Sequence, residues 1–374
     1  MRSMNGMELA TEYFRTYGLP MLEEQFPEVL PYLAAGLIGS GSECLGYDDE
    51  TSRDHDWEPG FCLFLPGEDV VDRRTAFLLE RAYAKLPREF MGFSRILMQP
   101  VGGSRRGVLR LAEFLEDKVA SPLPPSNQQW LTIPSQSLLE VTNGVVFFDN
   151  YGALTEAREA LSFYPDEVRR KKLAGHLLLM AQSGQYNYMR CIEHGERAAA
   201  QLAAVEFVRH AISTCFLLAQ VYEPYYKWSF RALRALPGAA QSAEQPALWR
   251  SAGQPELPQT AEQPELSQSA GQPEFSQSVE QSGSLQPAEQ PAPEQSWYVQ
   301  TADKLEYLLT TDNSDDMYDG KYMLIEEIAA DVIDTLIDQG LTQANCGDLE
   351  KHAYSVNDGI ADGALRNLHV LAAV

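Results

Sequence analysis

Cysteine and basic residues are both scarce in this chain of 374 residues. The five cysteines are scattered without a Cys-x-x-Cys pair, so they define neither a disulfide framework nor a zinc site, and they indicate reduced thiols in a cytoplasmic protein. Lysine and arginine number 29 against 53 aspartates and glutamates, which gives a net charge of −24 and a pI near 4.6. Because a broad nucleic-acid-binding surface needs a basic footprint, the composition argues against nucleic acid as a partner.

Long apolar runs are missing as well. The sequence has no uninterrupted apolar run of about 18 residues, the length that a membrane-spanning helix needs. The first residues, MRSMNGMELATEYF, contain acids before any long apolar stretch, unlike a secretory signal peptide. We therefore expect neither membrane association nor export. Hydrophobic residues make up 44% of the chain, which is enough for a sizeable core and, at this length, for two domains.

The few basic residues form two short clusters, Arg105-Arg106 and the Arg-Arg-Lys-Lys run at 169–172. Such side chains mostly lie on solvated surfaces, and we expect this of both clusters. His176 follows the second cluster on the same predicted helix and could face a cleft. A single histidine is, however, more commonly a hydrogen-bonded core residue than a ligand or base.

The hydrophobic periodicity predicts an α+β protein, with a mixed-sheet domain followed by an α-helical bundle. Residues 1–150 form the first domain, with N-terminal helices, a helix at 71–86, and strands at 34–39, 54–65, 95–99, 108–111 and 145–148. Residues 151–236 hold helical patterns at 153–162, 165–184, 187–221 and 224–236. Residues 297–374 add helices at 299–311, 321–339 and 357–372, which we expect to complete the bundle.

Residues 237–296 separate the two helical parts and are of low complexity. Pro, Gln, Ser and Glu dominate, and Gln-Pro recurs at positions 245, 254, 263 and 272. Apolar side chains are too sparse there to offset the entropy lost on ordering. We therefore predict a disordered tether with no catalytic role.

The most informative segment is GSECLGYDDETSRDHDW, residues 41–57. The Gly41-Ser42 pair follows the apolar run 33–38, and a turn of small residues can offer backbone N–H groups to a phosphate. Asp54 and Asp56 alternate across one residue, so in an extended strand their carboxylates would point to one face. Two acids on one face suit a hard cation such as Mg²⁺. A phosphate-binding turn beside metal-binding acids predicts the transfer of a nucleotidyl group.

A plainer interpretation of the two aspartates is a surface turn or a helix cap in an acidic chain. The sequence that follows them argues against it, because exposed caps rarely lead straight into an aromatic-rich segment such as Trp57, Phe61 and Phe64.

This segment resembles the nucleotidyltransferase superfamily to which DNA polymerase β and the aminoglycoside nucleotidyltransferases belong. The shared pattern is a strand, a Gly-Ser pair and, further on, a Ser followed by Asp-x-Asp, here Ser52, Asp54 and Asp56. The chain is also similar to an uncharacterised bacterial family of nucleotidyltransferase-like proteins known only as a domain of unknown function. The segments 86–93, 145–165 and 223–233 carry that likeness, which spans about residues 8–236 and resumes near 297.

The resemblance implies roles for the residues of the motif. Gly41 and Ser42 would hold the triphosphate of an NTP, ATP by default, and Asp54 and Asp56 would be the catalytic acids that bind one or two Mg²⁺ ions. Lys227 and Arg231 lie four residues apart on one face of a predicted helix, and Lys227 would reach the phosphates. The alternative for that helix is an amphipathic face whose aromatic residues are core and whose cations cover apolar surface.

One feature departs from the superfamily pattern. Active members carry a third carboxylate on a neighbouring strand, and the corresponding segment here, residues 107–111, contains no acid. Glu113 and Asp149 are the candidates for that third carboxylate, although an acid that ends a strand commonly caps the next helix.

The expected activity is Mg²⁺-dependent transfer of a nucleoside monophosphate to a hydroxyl of a small molecule or protein, with release of pyrophosphate. A cationic amino alcohol would suit the acidic chain, whereas a tRNA end is disfavoured by charge. If the third acid is missing, the alternative is a catalytically silent module that binds nucleotide or a partner protein.

Overall fold

The computed structural model describes residues 4–54, 57–95, 105–121, 123–237, 296–313 and 320–374, with the backbone alone at 53 and 54. Four strands form a mixed sheet in the order β5-β2-β1-β6, and β3 and β4 form a separate hairpin. The strands are β1 (Ala34–Leu37), β2 (Cys62–Leu65), β3 (Glu89–Phe90), β4 (Phe93–Ser94), β5 (Gly107–Arg110) and β6 (Val145–Asp149).

The strand directions bring four chain segments to one end of the sheet. β1 is antiparallel to both β2 and β6, whereas β2 and β5 are parallel. Leu37 at the end of β1 pairs with Val145 at the start of β6, and Cys62 at the start of β2 pairs with Gly107 at the start of β5. The segment after β1 therefore meets the segments that precede β2, β5 and β6.

Helices make up most of the remaining described structure, and π-helical turns at Phe14–Gly18 and Ala181–Tyr188 continue two of them. The helices are α1 (Gly6–Tyr13), α2 (Leu19–Gln25), α3 (Arg73–Ala84), α4 (Leu111–Val119), α5 (Asn127–Thr132), α6 (Ser135–Thr142), α7 (Ala153–Ala160), α8 (Asp166–Met180), α9 (Met189–Glu193), α10 (Arg197–Ala219), α11 (Tyr226–Arg234), α12 (Trp297–Thr310), α13 (Gly320–Asp338), α14 (Leu349–Asp358) and α15 (Gly363–Arg366).

The N-terminal helices cover one face of the sheet. Asn5 begins α1 with a capping box, in which its side chain accepts from the Glu8 N–H and the Glu8 carboxylate accepts from the Asn5 N–H. Behind this start, Tyr13 and Phe14 are buried against Phe61, with ring centroids 6.1 and 5.0 Å apart respectively. This aromatic packing fixes the helices on the sheet.

The larger core lies among the helices that follow the sheet. α8 packs against α10 and α14, and α12 packs against α10 and α13. Leu177 of α8, Phe207 of α10, Leu305 of α12 and Val332 of α13 are all fully buried in the same cluster. The helices on either side of the segment 238–295 therefore share one core. The low-complexity segment predicted as a disordered tether lies outside the described residues, except for its first and last positions.

The predicted α+β class with a mixed sheet is confirmed. The patterns at 34–39, 108–111 and 145–148 coincide with β1, β5 and β6, and the pattern at 71–86 coincides with α3. Of the strand predicted at 95–99, residues 96–99 lie outside the described part of the chain.

Three boundary predictions are wrong. The strand predicted over 54–65 begins only at Cys62, after Pro59, which has no N–H for a sheet ladder. The helix predicted over 187–221 is interrupted at Gly195, whose left-handed φ of 75° ends α9. The helix predicted over 357–372 is replaced by α14, α15 and a 3-10 turn, because Asp362 accepts from the Ala364 N–H and starts a new short helix.

Among the described residues, one helix is long and apolar enough to cross a membrane by length and composition alone. This helix is α10, whose most apolar window has a mean hydropathy of 1.5 and is 61% buried inside the protein. That burial is typical of the core helix of a soluble protein.

Candidate functional site

The Gly-Ser turn lies directly after β1, at the end of the sheet where the four segments meet. Gly39 and Gly41 have φ values of 116° and 130°, in the region that favours glycine. A Cβ on Gly41 would lie 2.4 Å from Oε1 of Glu43, so the position has no room for a side chain. Glycine at 41 is therefore required by both the backbone conformation and the close carboxylate.

Asn143 holds the turn from the segment before β6. Its side-chain oxygen accepts from the Gly39 N–H at 3.0 Å, and its amide nitrogen donates to the Gly39 carbonyl at 2.8 Å. Asn143 is itself 1% exposed. Arg158 of α7 fixes this segment in turn, since its guanidinium donates to the carbonyls of Asn143, Thr142 and Val141. The start of the turn is thus rigidly positioned.

The other end of the turn presents unused donors. In the described part of the chain, the N–H groups of Ser40, Gly41 and Ser42 have no hydrogen-bond partner, and the Ser42 hydroxyl does not cap the 3-10 turn Glu43–Leu45. All three residues are half-buried. Consecutive free N–H groups beside a hydroxyl can bind the oxygens of an anion such as a phosphate.

A buried ion pair underlies the turn. Oε1 of Glu43 lies 2.8 Å from Nη2 of Arg106, and both side chains are 7% exposed. Arg106 also donates to the Glu58 carbonyl, so it joins the segments before β2 and β5. The guanidinium neutralises a carboxylate that would otherwise repel an anion at Gly41. The solvated position expected for Arg106 is wrong, because Glu43, far from it in sequence, is its buried partner.

Cys44 adjoins this pair and has an unreactive thiol. Burial, followed by the neighbouring Glu43 carboxylate, raises the pKa of the Cys44 thiol well above its usual value. The thiol is therefore neutral near pH 7 and is not an activated nucleophile.

The acidic segment after the turn folds back by local hydrogen bonds. Asp48 accepts from the Gly6 N–H at 2.7 Å and from the Trp57 indole at 2.9 Å. Asp49 accepts from the N–H and the hydroxyl of Ser52, at 3.0 and 3.1 Å, and these bonds lower the pKa of Asp49. This Asp49–Ser52 turn leads into a 3-10 helix at Thr51–Asp54.

Asp54 is therefore not in the extended strand on which the alternation argument rests. Its backbone belongs to the 3-10 helix, because the Asp49–Ser52 bonds favour a turn over a strand. Nothing is described of the Asp54 side chain, and Asp56 lies outside the described residues. The segment that carries both precedes β2 in the chain, and β2 starts at the end of the sheet that holds the Gly-Ser turn.

The two candidates for a third carboxylate lie at other positions of the sheet domain. Asp149 pairs with Ala34 at the far end of β1, and its two oxygens accept from the Gly152 and Thr155 N–H groups at 2.9 and 2.7 Å. Glu113 is exposed in the first turn of α4, beyond the C-terminal end of β5. The structure brings neither into contact with the Gly-Ser turn, and Asp149 serves as a helix cap.

α11 packs beside the loop that follows the turn. Arg231 donates to the Tyr47 carbonyl at 3.1 Å, and its guanidinium lies 4.5 Å from the Tyr47 ring centroid. The Tyr47 N–H in turn donates to the Ser42 carbonyl at 2.9 Å. Lys227 is exposed on the same helix, with its ammonium 5.3 Å from the Trp228 ring. Arg231 therefore has a structural role in holding the loop that follows the turn.

Among residues 4–54, 57–95, 105–121, 123–237, 296–313 and 320–374, no group of three or more His, Cys, Asp or Glu side chains is arranged to hold a metal ion. The predicted Mg²⁺ ligands Asp54 and Asp56 are not among the side chains to which this finding applies.

Comparison with known proteins gives one match. A family model described as a domain of unknown function, DUF4037, matches residues 130–229. The match runs from α5 into α11 and includes β6 and Asn143, but it excludes β1, β2 and the Gly-Ser turn. No curated protein and no solved structure matches the chain.

Several residues of the site escape a purely sequence-based reading. Asn143 and the Glu43–Arg106 pair carry no recognisable local pattern, since their partners are distant along the chain. The sequence offers one indication of the ion pair. Glu43 directly follows the Gly-Ser pair and Arg106 directly precedes an apolar strand, and charged residues buried at such positions need partners.

Proposed function

We propose that the protein transfers a nucleoside monophosphate from an NTP, ATP by default, to a hydroxyl of an acceptor and releases pyrophosphate. One observation carries the proposal. The Gly-Ser turn, which has three N–H groups with no partner among the described residues, lies after β1, and the Asp54–Asp56 segment precedes β2, the antiparallel neighbour of β1, in the chain. A phosphate-binding turn after one strand and two acids in the segment before its neighbour would supply what the reaction needs.

In this proposal the Gly41 and Ser42 N–H groups and the Ser42 hydroxyl bind phosphate oxygens, while Arg106 cancels the Glu43 charge next to them. Asp54 and Asp56 would hold Mg²⁺, whose oxygen-ligand chemistry they fit by residue type. When bound, the ion supplies charge neutralisation at the phosphates and a lower pKa at the attacking hydroxyl. Lys227, exposed on α11 beside the same loop, would add a positive charge toward the phosphates.

The chemistry is a single displacement at the α-phosphorus. The acceptor oxygen forms a new P–O bond, the bond to the β-phosphate oxygen breaks, and the hydroxyl proton leaves to solvent or to an acid of the site. The chain contributes positioning and electrostatics, with no covalent enzyme intermediate. The buried thiol of Cys44 takes no part because it stays protonated.

The net charge of −24 favours a cationic acceptor, such as a small amino alcohol, over a polyanion. A protein hydroxyl remains the second acceptor class. Transfer to nucleic acid is disfavoured on the same ground.

A second candidate function is a catalytically silent module that binds nucleotide without transferring it. The observation in its favour is the composition of β5, the neighbour of β2, which reads Gly107-Val108-Leu109-Arg110 and offers no carboxylate. Asp149 is committed to capping α7, and Glu113 lies beyond the other end of β5.

The two candidates separate in two measurements on the purified full chain. Calorimetry with ATP and Mg²⁺ reports binding, and [α-³²P]ATP with a cell extract reports transfer. The proposed activity requires both, with transfer lost in Asp54→Asn and Asp56→Asn. Binding without transfer in any extract would establish the silent module. Equal ATP affinity in the wild type and the Asp54→Asn/Asp56→Asn variant would overturn the metal assignment.

A matched control is Glu24→Gln, which neutralises an exposed acid of α2. It should retain ATP binding and transfer, and thermal unfolding should show that all variants are folded.

A further inference from the structure

A polar cavity lies among the helices, apart from the Gly-Ser turn. It has a volume of about 160 Å³, and its lining residues fall between 131 and 223, so none belongs to β1, β2 or the turn. All of them lie within the segment matched by the family model, 130–229. A cavity of about 150 Å³ is large enough to hold a benzene molecule. The space therefore suits a small ligand.

The cavity contains a lysine that forms no ion pair with any described residue. Lys172 of α8 lines it, and its ammonium donates to the carbonyls of Leu131 and Ala373 at 3.3 and 3.4 Å, both longer than a usual hydrogen bond. The Tyr164 ring lies 5.2 Å away. Among the described residues, no carboxylate lies within ion-pair distance of Lys172. Burial lowers the pKa of Lys172 to about 8, as expected for a desolvated cation that lacks a counter-charge.

A histidine pair fixes a hydrogen-bond acceptor in the same cavity. Nε2 of His210 lies 3.0 Å from the Glu206 carboxylate, and Nδ1 of His210 lies 2.9 Å from Nδ1 of His176. An ionised carboxylate only accepts, so the neutral His210 ring donates from Nε2 and its Nδ1 accepts from His176. Neutral His176, which lines the cavity, is then left with a lone pair on Nε2.

A carboxyl group completes the polar lining. The Ser213 hydroxyl donates to Oε2 of Glu223 at 2.6 Å, and both residues line the cavity. Burial raises the pKa of Glu223. The remaining wall includes Phe216 and Val221, which offer apolar contact.

We propose that this cavity binds a small organic anion, with its carboxylate or phosphate group at Lys172 and a hydroxyl or amino donor at His176. The class is that of 2-hydroxy and 2-amino acids and small phosphate monoesters. A desolvated ammonium that has carbonyl contacts but no counter-charge is costly, and an anionic ligand supplies that charge. The histidine lone pair and the Glu223 carboxyl select a ligand that also carries a donor. The site is independent of the proposed nucleotide site.

The test is calorimetric titration of the full chain with matched probes. Lactate and glycerol 3-phosphate represent the two anion classes, and both carry a hydroxyl donor. Lactamide is the neutral isostere of lactate, and propionate lacks its hydroxyl. We expect one of the two anions to bind, with lactamide and propionate each weaker by at least about tenfold, equivalent to about 1.4 kcal/mol. Lactamide that binds as tightly as the bound anion would overturn the role of Lys172, and propionate that binds as tightly as that anion would overturn the role of His176. No binding of either anion would overturn the proposal.

Variants locate the ligand. Lys172→Met keeps the length of the side chain and removes the charge, so it should weaken binding of the anion at least about tenfold. Lys85→Met, at an exposed lysine after α3, is the control and should leave affinity unchanged. Unchanged affinity in a folded Lys172→Met protein would refute the site. The Asp54→Asn/Asp56→Asn variant should bind the anion as the wild type does, which keeps this test separate from that of the nucleotide site.

A measurement on the wild-type protein tests the site even if the Lys172→Met variant does not fold. With ¹³C-labelled lysine, the Lys172 ε-methylene resonance should shift on titration with the bound anion and stay in place with lactamide. Perturbation of other lysines alone would contradict the proposal.

Discussion

The carboxylate of Glu43 and the guanidinium of Arg106 form a buried ion pair at 2.8 Å against the backbone of Gly41. The pair links the turn after β1 to the start of β5, two segments more than sixty residues apart in the chain. The pair therefore stabilises this end of the sheet and also sets the charge next to the proposed phosphate site. Neither residue can change alone without leaving an uncompensated charge in the interior.

Removal of Arg106 should strongly destabilise the protein. Arg106→Met leaves the Glu43 carboxylate buried and unpaired, which costs about 3–5 kcal/mol in comparable cases. The double variant Glu43→Gln/Arg106→Met removes both charges and should lose less than Arg106→Met. Urea unfolding of the four proteins of this cycle measures the coupling.

The control is Arg15→Ala, which breaks the exposed pair of Arg15 and Glu12, whose side chains are 48% and 39% exposed. It should change the free energy of unfolding by less than about 1 kcal/mol. A loss in Arg106→Met no larger than in this control would contradict the structural role of the buried pair.

Gly41→Ala should disrupt the turn more than a comparable substitution elsewhere. A Cβ at 41 meets the Glu43 carboxylate in addition to the unfavourable φ, whereas at Gly340, where φ is 64°, it meets nothing within 4 Å. Gly340→Ala should therefore cost about 1 kcal/mol from backbone strain, and Gly41→Ala should cost more. Unfolding in urea gives the two values, and ATP calorimetry should show lost binding in Gly41→Ala alone. Similar effects of both substitutions would exclude the close contact as a cause.

The sequence predicts those elements whose signals are local. β1 and β6 are short apolar runs, and α3 begins at Asp72, which caps it by accepting from the Thr75 N–H at 2.7 Å. Prediction from the sequence fails where side-chain hydrogen bonds to the backbone compete with the pairing of strands. A strand was expected to run from Asp54 into β2. Instead, the Asp49–Ser52 bonds favour a turn, and Asp54 lies in a 3-10 helix.

The sequence also fails to predict which charged residues are buried, because their partners are remote in the chain. The run at 169–172 has the composition of a solvated face, yet Lys171 is fully buried. Its ammonium donates to Asn357 at 2.8 Å and to the Leu368 carbonyl at 2.6 Å, nearly two hundred residues away. Such contacts depend on how α8 meets the C-terminal helices, which no local pattern encodes. The same holds for Arg106 and for the polar cavity around Lys172.

Asn143 should act through both of its hydrogen bonds to Gly39. Asn143→Asp keeps the acceptor for the Gly39 N–H but loses the donor to the Gly39 carbonyl, and Asn143→Leu loses both. Each buried backbone group left unpaired costs about 1–3 kcal/mol, so Asn143→Leu should destabilise the protein more than Gln136→Ala, a control at an exposed position of α6. Hydrogen exchange of the Gly39 amide should accelerate in Asn143→Leu. Unchanged exchange there would show that the turn is held by other contacts.

The His176–His210 pair should make the protein less stable in mildly acidic solution. Burial, and then the nearby His210, Lys172 and Arg209, lowers the pKa of His176 well below 6.5, and burial also lowers the pKa of His210. Above the unfolded pKa of about 6.5 both states hold neutral rings, so the pair has no pH effect there. Below it the unfolded chain takes up protons that the folded protein does not, and stability falls by up to about 1.4 kcal/mol per pH unit for each such proton.

His176→Gln keeps a hydrogen-bonding side chain but removes one titrating ring, so the fall in unfolding free energy between pH 6.5 and 5.5 should be smaller in this variant. His194→Gln, at an exposed histidine beyond α9, should retain the wild-type slope. Urea unfolding at several pH values measures these slopes, and equal slopes for the wild type and His176→Gln would show that the buried pair does not control the acid sensitivity.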